Sequence, residues 1–289
     1  MLFELSELIL NPDGSIYHLN LLPEDLADTV ITVGDPERVA SISRHFDRLD
    51  IKKTKREFCT HTGWYKKKRI TVISTGIGTD NIDIVFNELD ALANINFEKR
   101  TLNEEPKKLS IFRVGTSGAI QEDIPVDSLL VSDIAIGYDG LLHFYESDVV
   151  RDLPFENALA DYMKTPGFSS TPYIVEGSNY LKTIFEQEEL RTGVTLTNAG
   201  FYGPQGRTLR LKPKMSDYNA KLSNFTYEDK RITNFEMETA GIYGMAKLLG
   251  HEAISLNAIL ANRITGEFSK KPNETVSELI HLVLEKISQ

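Results

Sequence analysis

Ile111-Phe112-Arg113-Val114-Gly115-Thr116-Ser117-Gly118-Ala119-Ile120 sets one cation, Arg113, inside a short apolar run and follows it with two glycines around two hydroxyls. The run reads as a strand over Ile111 to Val114 that breaks into a Gly-rich turn. A charge in a buried strand is costly unless an anion pairs with it. A turn that bares backbone N–H groups at a strand's carboxyl end favours an anion. Two readings stand level: an oxyanion or phosphate site at the end of a central strand, or a sheet strand whose Arg113 reaches a structural carboxylate.

Outward from that stretch the chain repeats the same unit. Thr29 to Val33 is a β-branched run ending in Gly34-Asp35-Pro36-Glu37-Arg38, where Pro36 suits a first helical position and Val39, Ile42 and Phe46 continue at helical spacing. Residues 51–74 read as a meander with a turn near Gly63. Its last strand, Arg69 to Ser74, ends in Ser74-Thr75-Gly76-Ile77-Gly78-Thr79, and a helix striped by Ile82, Val85, Leu89 and Leu92 follows. Asn94 to Lys108 is charged and irregular and reads as a surface loop or helix extension. Ser128 to Ile136 is a strand, Tyr138-Asp139-Gly140 a turn, and residues 151–190 hold two helices around a loop from Pro166 to Ser170. Thr192 to Asn198 is a strand, followed by the glycine-rich Ala199 to Arg207. Ile232 to Phe235 runs into a helix, Thr239 to Leu249. Glu252 to Leu260 is a last strand and Val276 to Ile287 a closing helix. Strands alternating with helices predict an α/β fold with a mostly parallel or mixed sheet. No repeat or linker divides the 289 residues, so they read as a single domain with an N-terminal extension over about residues 1–15.

Composition narrows the function. Hydrophobic residues at 41% and charged residues at 26% describe an ordinary globular chain. A net charge of -10 argues against nucleic acid as a partner without excluding a local basic pocket. No apolar run approaches the roughly 20 residues of a membrane span, and the acidic N-terminus lacks a signal peptide's basic start. With Cys59 the one cysteine, disulfides are excluded, which suits a cytoplasmic location. Cys59 carries no mark of an activated nucleophile. The six scattered histidines make no zinc spacing, and His45, His61 and His251 read as surface or structural. Neither a Walker sequence nor a Gly-x-Ser-x-Gly elbow is present. Gly76-Ile77-Gly78 is half a dinucleotide fingerprint with Asn81 in place of its third glycine.

Three strand-end turns remain as anion seats: Gly34 to Arg38, Gly76 to Thr79 and Gly115 to Gly118. In α/β sheets such ends gather around one crevice. Glu236-Met237-Glu238 offers two carboxylates that could accept from a vicinal diol such as ribose, or could serve as acids at a helix N-terminus. Phe201-Tyr202-Gly203-Pro204-Gln205-Gly206-Arg207 combines a stacking face, an amide and a guanidinium fork, which match a planar heterocycle such as uracil, and Arg263 after the last strand could serve the same pocket. The alternative is an exposed loop with solvated charges.

Taken in order, these segments resemble the nucleoside phosphorylase family, uridine phosphorylase type, from about Ile16 to the C-terminal helix. The resemblance implies a three-layer α/β/α fold with a central mixed sheet and phosphorolysis of a pyrimidine nucleoside, uridine or deoxyuridine, to free base and pentose 1-phosphate. It implies that Gly34, Arg38, Arg113 and Thr116 hold phosphate, with Arg56 supplied by a neighbouring subunit. Met237 and Glu238 hold ribose, with His18 coming across the dimer interface. Phe201, Gln205 and Arg207 hold the base, supported by Glu236 and Arg263. Inorganic phosphate is then a co-substrate and no other cofactor is required; Glu57 matches a residue through which some members bind a monovalent cation. The implied partner is a second copy of the chain, in a dimer at least and a hexamer in many members. Asn262-Arg263 after the last strand, where purine-specific relatives usually carry an Asp, favours a pyrimidine. The rival readings are a nucleosidase or a purine nucleoside phosphorylase on the same fold, or a non-catalytic nucleoside binder. Two stretches depart from the family pattern: a long Asn94 to Lys108, and Thr79-Asp80 after Gly78.

Overall fold

β-Branched residues dominate Thr29–Val33 (β1), and each of its positions is buried, so both faces of this strand are covered. The computed structural model describes residues 2–165 and 170–289. In chain order there follow α1 (Pro36–Ser43), β2 (Arg48–Lys55), β3 (Phe58–Tyr65), β4 (Lys68–Ser74), α2 (Thr79–Asn94), β5 (Ile95–Asn96), β6 (Thr101–Leu102), β7 (Ser110–Ala119), β8 (Leu129–Gly137), α3 (Leu153–Met163), β9 (Tyr173–Glu176), α4 (Asn179–Thr183), β10 (Arg191–Thr197), α5 (Tyr218–Asn224), β11 (Thr226–Tyr227), β12 (Lys230–Glu236), α6 (Thr239–Leu248), β13 (Glu252–Asn262) and α7 (Pro272–Ile287). The described residues form an 11-stranded sheet in the order β11-β12-β10-β8-β13-β7-β1-β4-β3-β2, with β9 on β8.

The sheet is mixed: β1 runs parallel to β4 and β7, whereas β3 runs antiparallel to β4 and β13 antiparallel to β8. Helices flank it in the three-layer α/β/α manner. The apolar stripe of α2 buries Ile82, Val85, Leu89 and Leu92, and α2 packs on α6, which lies over β8, β10 and β13. α1 packs on β3 and β4, and α7 on β7 and β13. The sheet also curls until β12 pairs antiparallel with the far end of β7, Asn234 opposite Ala119 and Phe235 opposite Gly118. Strands β7, β13, β8, β10 and β12 thereby close into a ring. None of the described helices is long and apolar enough to cross a membrane.

Several local expectations need correction. Gly115 to Gly118 is no turn, because β7 continues to Ala119. Gly63 is no turn either. It lies inside β3, where a Cβ would collide with the carbonyl of Arg48 and stand 2.7 Å from Cδ2 of Phe46; the turns fall at Arg56-Glu57, with Arg56 at φ +55°, and after Lys66. The segment between α3 and α4 contains the short strand β9, paired with β8. The loop expected from Pro166 to Ser170 lies, up to residue 169, outside the described residues. Asn94 to Lys108 forms the β5–β6 hairpin, and Arg100 beside it holds the N-terminal extension by donating to the carbonyls of Phe3 (2.8 Å), Glu4 (2.5 Å) and Leu8 (2.6 Å).

Candidate active site

Each strand-end segment delivers its side chains by local chemistry. After β1 the Asp35 carboxylate accepts from the N–H of Glu37 (2.9 Å) and Pro36 opens α1, which turns Arg38 inward. After β4 the chain passes through Gly76 (φ +74°) and Gly78 (φ +100°), conformations that suit only glycine, before α2 begins. After β12, Glu236 takes the exposed N–H groups of α6: its oxygens accept from Glu238 N (2.9 Å), from Thr239 N (2.9 and 3.1 Å) and from the Thr197 hydroxyl (2.5 Å).

These ends meet. A cavity of about 720 Å³ is lined by Gly34, Arg38, Gly76, Arg113, Thr116, Ser117, Phe201, Gln205, Arg207, Glu236, Met237 and Glu238, with Ile77 and Phe268 at exposed positions. The three segments read as anion seats therefore share one crevice, at the carboxyl ends of parallel strands β4, β1 and β7.

Arg113 lines it and is only 5% exposed. Its Nη2 donates to Glu238 (2.6 Å) and lies 3.0 Å from Glu236 Oε2, while Nη1 donates to Asn257 Oδ1 (2.9 Å). Arg113 thus reaches two carboxylates and lines the crevice as well, so pairing with carboxylates does not remove it from the crevice. Burial opposes the charge on Arg113, and Glu236 and Glu238 outweigh it, raising its pKa. Glu238 accepts from Gly78 N (2.8 Å) in addition. Its own pKa is raised, first by burial and then by neighbouring Glu236, against the pull of Arg113. Arg38 donates only to the carbonyl of Val114 (3.3 Å) and has no ion pair among the described residues. Burial and the nearby charge of Arg113 both pull its pKa down. Two clustered guanidinium groups, one without a carboxylate, favour an incoming anion.

In the loop after β10, Arg207 lies 3.7 Å over the Phe201 ring and donates to Phe201 O (2.6 Å) and to the buried Gln205 Oε1 (2.5 Å). Arg263 does not line the cavity; it sits behind it, its Nη1 3.5 Å from the Gln205 carbonyl. Burial and Arg263 lower the pKa of Arg207. Glu236 also lines the cavity, with its oxygens engaged by α6, Thr197 and Arg113.

Three further expected residues stand outside the cavity. His18 is tied to α2, with Nδ1 2.6 Å from Glu88, which also accepts from the N–H of His18 and Leu19. Arg56 and Lys55 lie over the ring of Tyr17, which also meets the His18 ring edge-on, so Arg56 and His18 cluster together. Glu57 packs over Gly76 at the cavity rim.

A family model described as the Phosphorylase superfamily matches residues 28–288. The chain belongs to that superfamily. Among its relatives, the uridine phosphorylase of Thermococcus kodakarensis is 32% identical over 264 residues, covering 89% of this chain and 81% of the relative. A DeoD-type purine nucleoside phosphorylase of Buchnera aphidicola is 26% identical over 274 residues, 93% of this chain and 98% of its own. Among solved structures, a Trypanosoma brucei nucleoside phosphorylase described as showing uridine phosphorylase activity superposes with a TM-score of 0.87 at 26% identity, covering 98% of this chain and 100% of that one.

Gly115, next to the cavity-lining Thr116, leaves room for the Arg113 side chain. A Cβ there would fall inside the Nη1 and Cζ atoms of Arg113, so the missing side chain lets that guanidinium fold back over its own strand. Gly115→Ala is expected to push Arg113 off its carboxylates and lower phosphorylase kcat/KM by about 100-fold, the scale of a 1 Å misplacement. Steady-state kinetics beside a thermal melt would check this; wild-type kinetics would refute the displacement. Sequence reasoning missed Asn257, Ile77 and Phe268. Asn257 meets Arg113 only through sheet register, and the other two are single exposed apolar residues in loops, a pattern with no local signature.

Proposed function

We propose that this chain catalyses phosphorolysis of a pyrimidine nucleoside, uridine or deoxyuridine, to free base and pentose 1-phosphate, with inorganic phosphate as co-substrate. The observation that carries this reading is the make-up of one cavity: it joins the neighbouring guanidinium groups of Arg38 and Arg113, with Thr116 and the Arg113-paired Glu238, to Phe201, Gln205 and Arg207. A phosphate oxygen attacks C1′ as the glycosidic C–N bond breaks, and the bonding electron pair leaves on the base. Arg38, Arg113, Thr116 and Gly34 hold the nucleophile beneath C1′, Met237 and Glu238 hold the ribose, and Gln205 and Arg207 stabilise the departing uracil anion while Phe201 stacks on it. The separate cluster of Arg56 and His18 completes a neighbouring protomer's site, which makes the active unit a dimer, and a hexamer can be built from such dimers. A monovalent cation would bind at Glu57, and comparing rates in potassium and tetramethylammonium buffers tests it. The setting is a reducing cytoplasm, in keeping with free Cys59. Uracil release from uridine with and without phosphate tests the reaction; equal rates would mean a hydrolase, and faster cleavage of inosine would mean a purine enzyme.

The pH profile should carry Glu238's signature. Because its pKa is raised above 4.5, Glu238 takes up a proton at a higher pH than an ordinary glutamate, losing an acceptor for the ribose and half of Arg113's pairing. The acid limb of kcat/KM for uridine is expected above that value. The stability sign is opposite: this group favours the fold when protonated, a contribution present below its ordinary pKa and lost as pH rises through the raised one. A limb at or below 4.5 would contradict the assignment.

A further inference from the structure

Inside the closed ring, polar side chains from all five strands, two of them from β7, form a continuous buried chain of hydrogen bonds. Arg113 Nη1 donates to Asn257 Oδ1 (2.9 Å), Asn257 Nδ2 donates to Ser132 Oγ (3.1 Å), and Ser132 lies 2.6 Å from Thr195 Oγ1. Thr195 donates to Asn234 Oδ1 (3.0 Å), and Asn234 Nδ2 donates to Ser117 Oγ (2.9 Å). Asn257, Ser132, Thr195 and Asn234 are 0% exposed and Ser117 9%. Further along the same strand faces, Ala119, Leu130 and Ile259 pack with Ile124 as an apolar plug.

The direction of this chain is fixed at its start. A guanidinium has donors only, so Asn257 must present its oxygen to Arg113 and its N–H₂ onward. Ser132, having accepted, gives its hydrogen to Thr195, which gives its own to Asn234, whose N–H₂ is left for Ser117. Every link points away from Arg113. The Ser117 oxygen is thereby used as an acceptor, and its hydrogen finds no acceptor among the described residues, while Ser117 lines the cavity.

We infer that Ser117 donates a hydrogen bond to the nucleoside, and that Asn257 and Asn234 are positioning residues that orient the Arg113 guanidinium and the Ser117 hydroxyl through one polarised relay. Its partner is the nucleoside rather than phosphate because Ser117 adjoins Gly118, which faces Ala261 and the stem of Arg263, whose guanidinium reaches the Gln205 carbonyl. The inference rests on the proposed phosphorolysis and assigns it a further specificity residue.

The experiment is a double-mutant cycle read by steady-state kinetics, with nucleoside and phosphate varied separately. Ser117→Ala is expected to raise KM for uridine about ten-fold and leave KM for phosphate within about two-fold. Asn234→Asp still accepts from Thr195 but has no N–H for Ser117, whose hydroxyl then turns onto the carboxylate. It is expected to cost about the same in the wild-type background and nothing further in Ser117→Ala. Independent, multiplicative losses would overturn the relay; an unchanged uridine KM, or a change in phosphate KM instead, would overturn the Ser117 contact. Should Asn234→Asp not fold by circular dichroism, the KM split of Ser117→Ala alone decides. Wild-type rates on uridine and inosine keep the two claims apart: a preference for inosine defeats the pyrimidine reading and moves the same comparison to inosine, whereas turnover of neither defeats both.

Discussion

Arg113→Met is expected to lose at least about 10³-fold in phosphorolytic kcat/KM and to melt well below the wild type. The two losses share one cause. Arg113 neutralises Glu236 and Glu238, whose side chains are 2% and 7% exposed, and removing one partner of a buried pair costs about 3–5 kcal/mol because the other is left charged and unpaired. Against the 5–15 kcal/mol typical of a folded domain, the variant still folds with a thinner margin. Asn257 also loses its donor. The stability loss should shrink in acid, since Glu238, already disposed to protonate, sheds the uncompensated charge. Thermal melts at about pH 5 and 8 beside phosphate-saturation kinetics test this. A variant as stable as the wild type at both would show that the carboxylates do not depend on Arg113.

Arg207→Ala is expected to behave differently, with kcat/KM for uridine down about 10²–10³-fold and stability within about 1 kcal/mol of the wild type. Its partners, Phe201 O and Gln205 Oε1, belong to its own loop, and its stacking on the half-exposed Phe201 is of the weak, solvated kind. What is removed is the guanidinium that meets the leaving base. KM for phosphate should hardly move. Unfolding of this variant at room temperature would show instead that Arg207 is a structural residue of the loop.

Much of the architecture was legible because its signals are local. Pro36 after Asp35 announces a helix start by cap chemistry, and the spacing of Ile82, Val85, Leu89 and Leu92 announces the buried face of α2. The glycines were misleading where they act at a distance. Gly115 and Gly63 resemble turn residues, yet each sits within a strand and leaves room for another group, the Arg113 guanidinium in one case and the Arg48 carbonyl with Phe46 in the other. Strand β9 was hidden by its brevity, four residues held by β8. The pairing of Arg113 with Glu236 and Glu238 was open as one of two readings, but only the curling of β12 back onto β7 could decide it. Of the two roles the sequence offered these acids, the helix-end role is taken by Glu236, while Glu238 lines the cavity.

That curl has a kinetic consequence. The seam between β7 and β12 is held by two residue pairs only, against ten between β7 and β13, so it is expected to open first and close last. Arg113 lies on one side of the seam and Glu236 and Glu238 at the end of the other, which means that the charges of the cavity come together only when the seam shuts. A molecule gripping both sides acts as a clasp on that opening. The amide hydrogens of Asn234 and Phe235 are then expected to exchange with solvent more slowly once phosphate and nucleoside are bound, and the seam to be where the chain first comes undone without them.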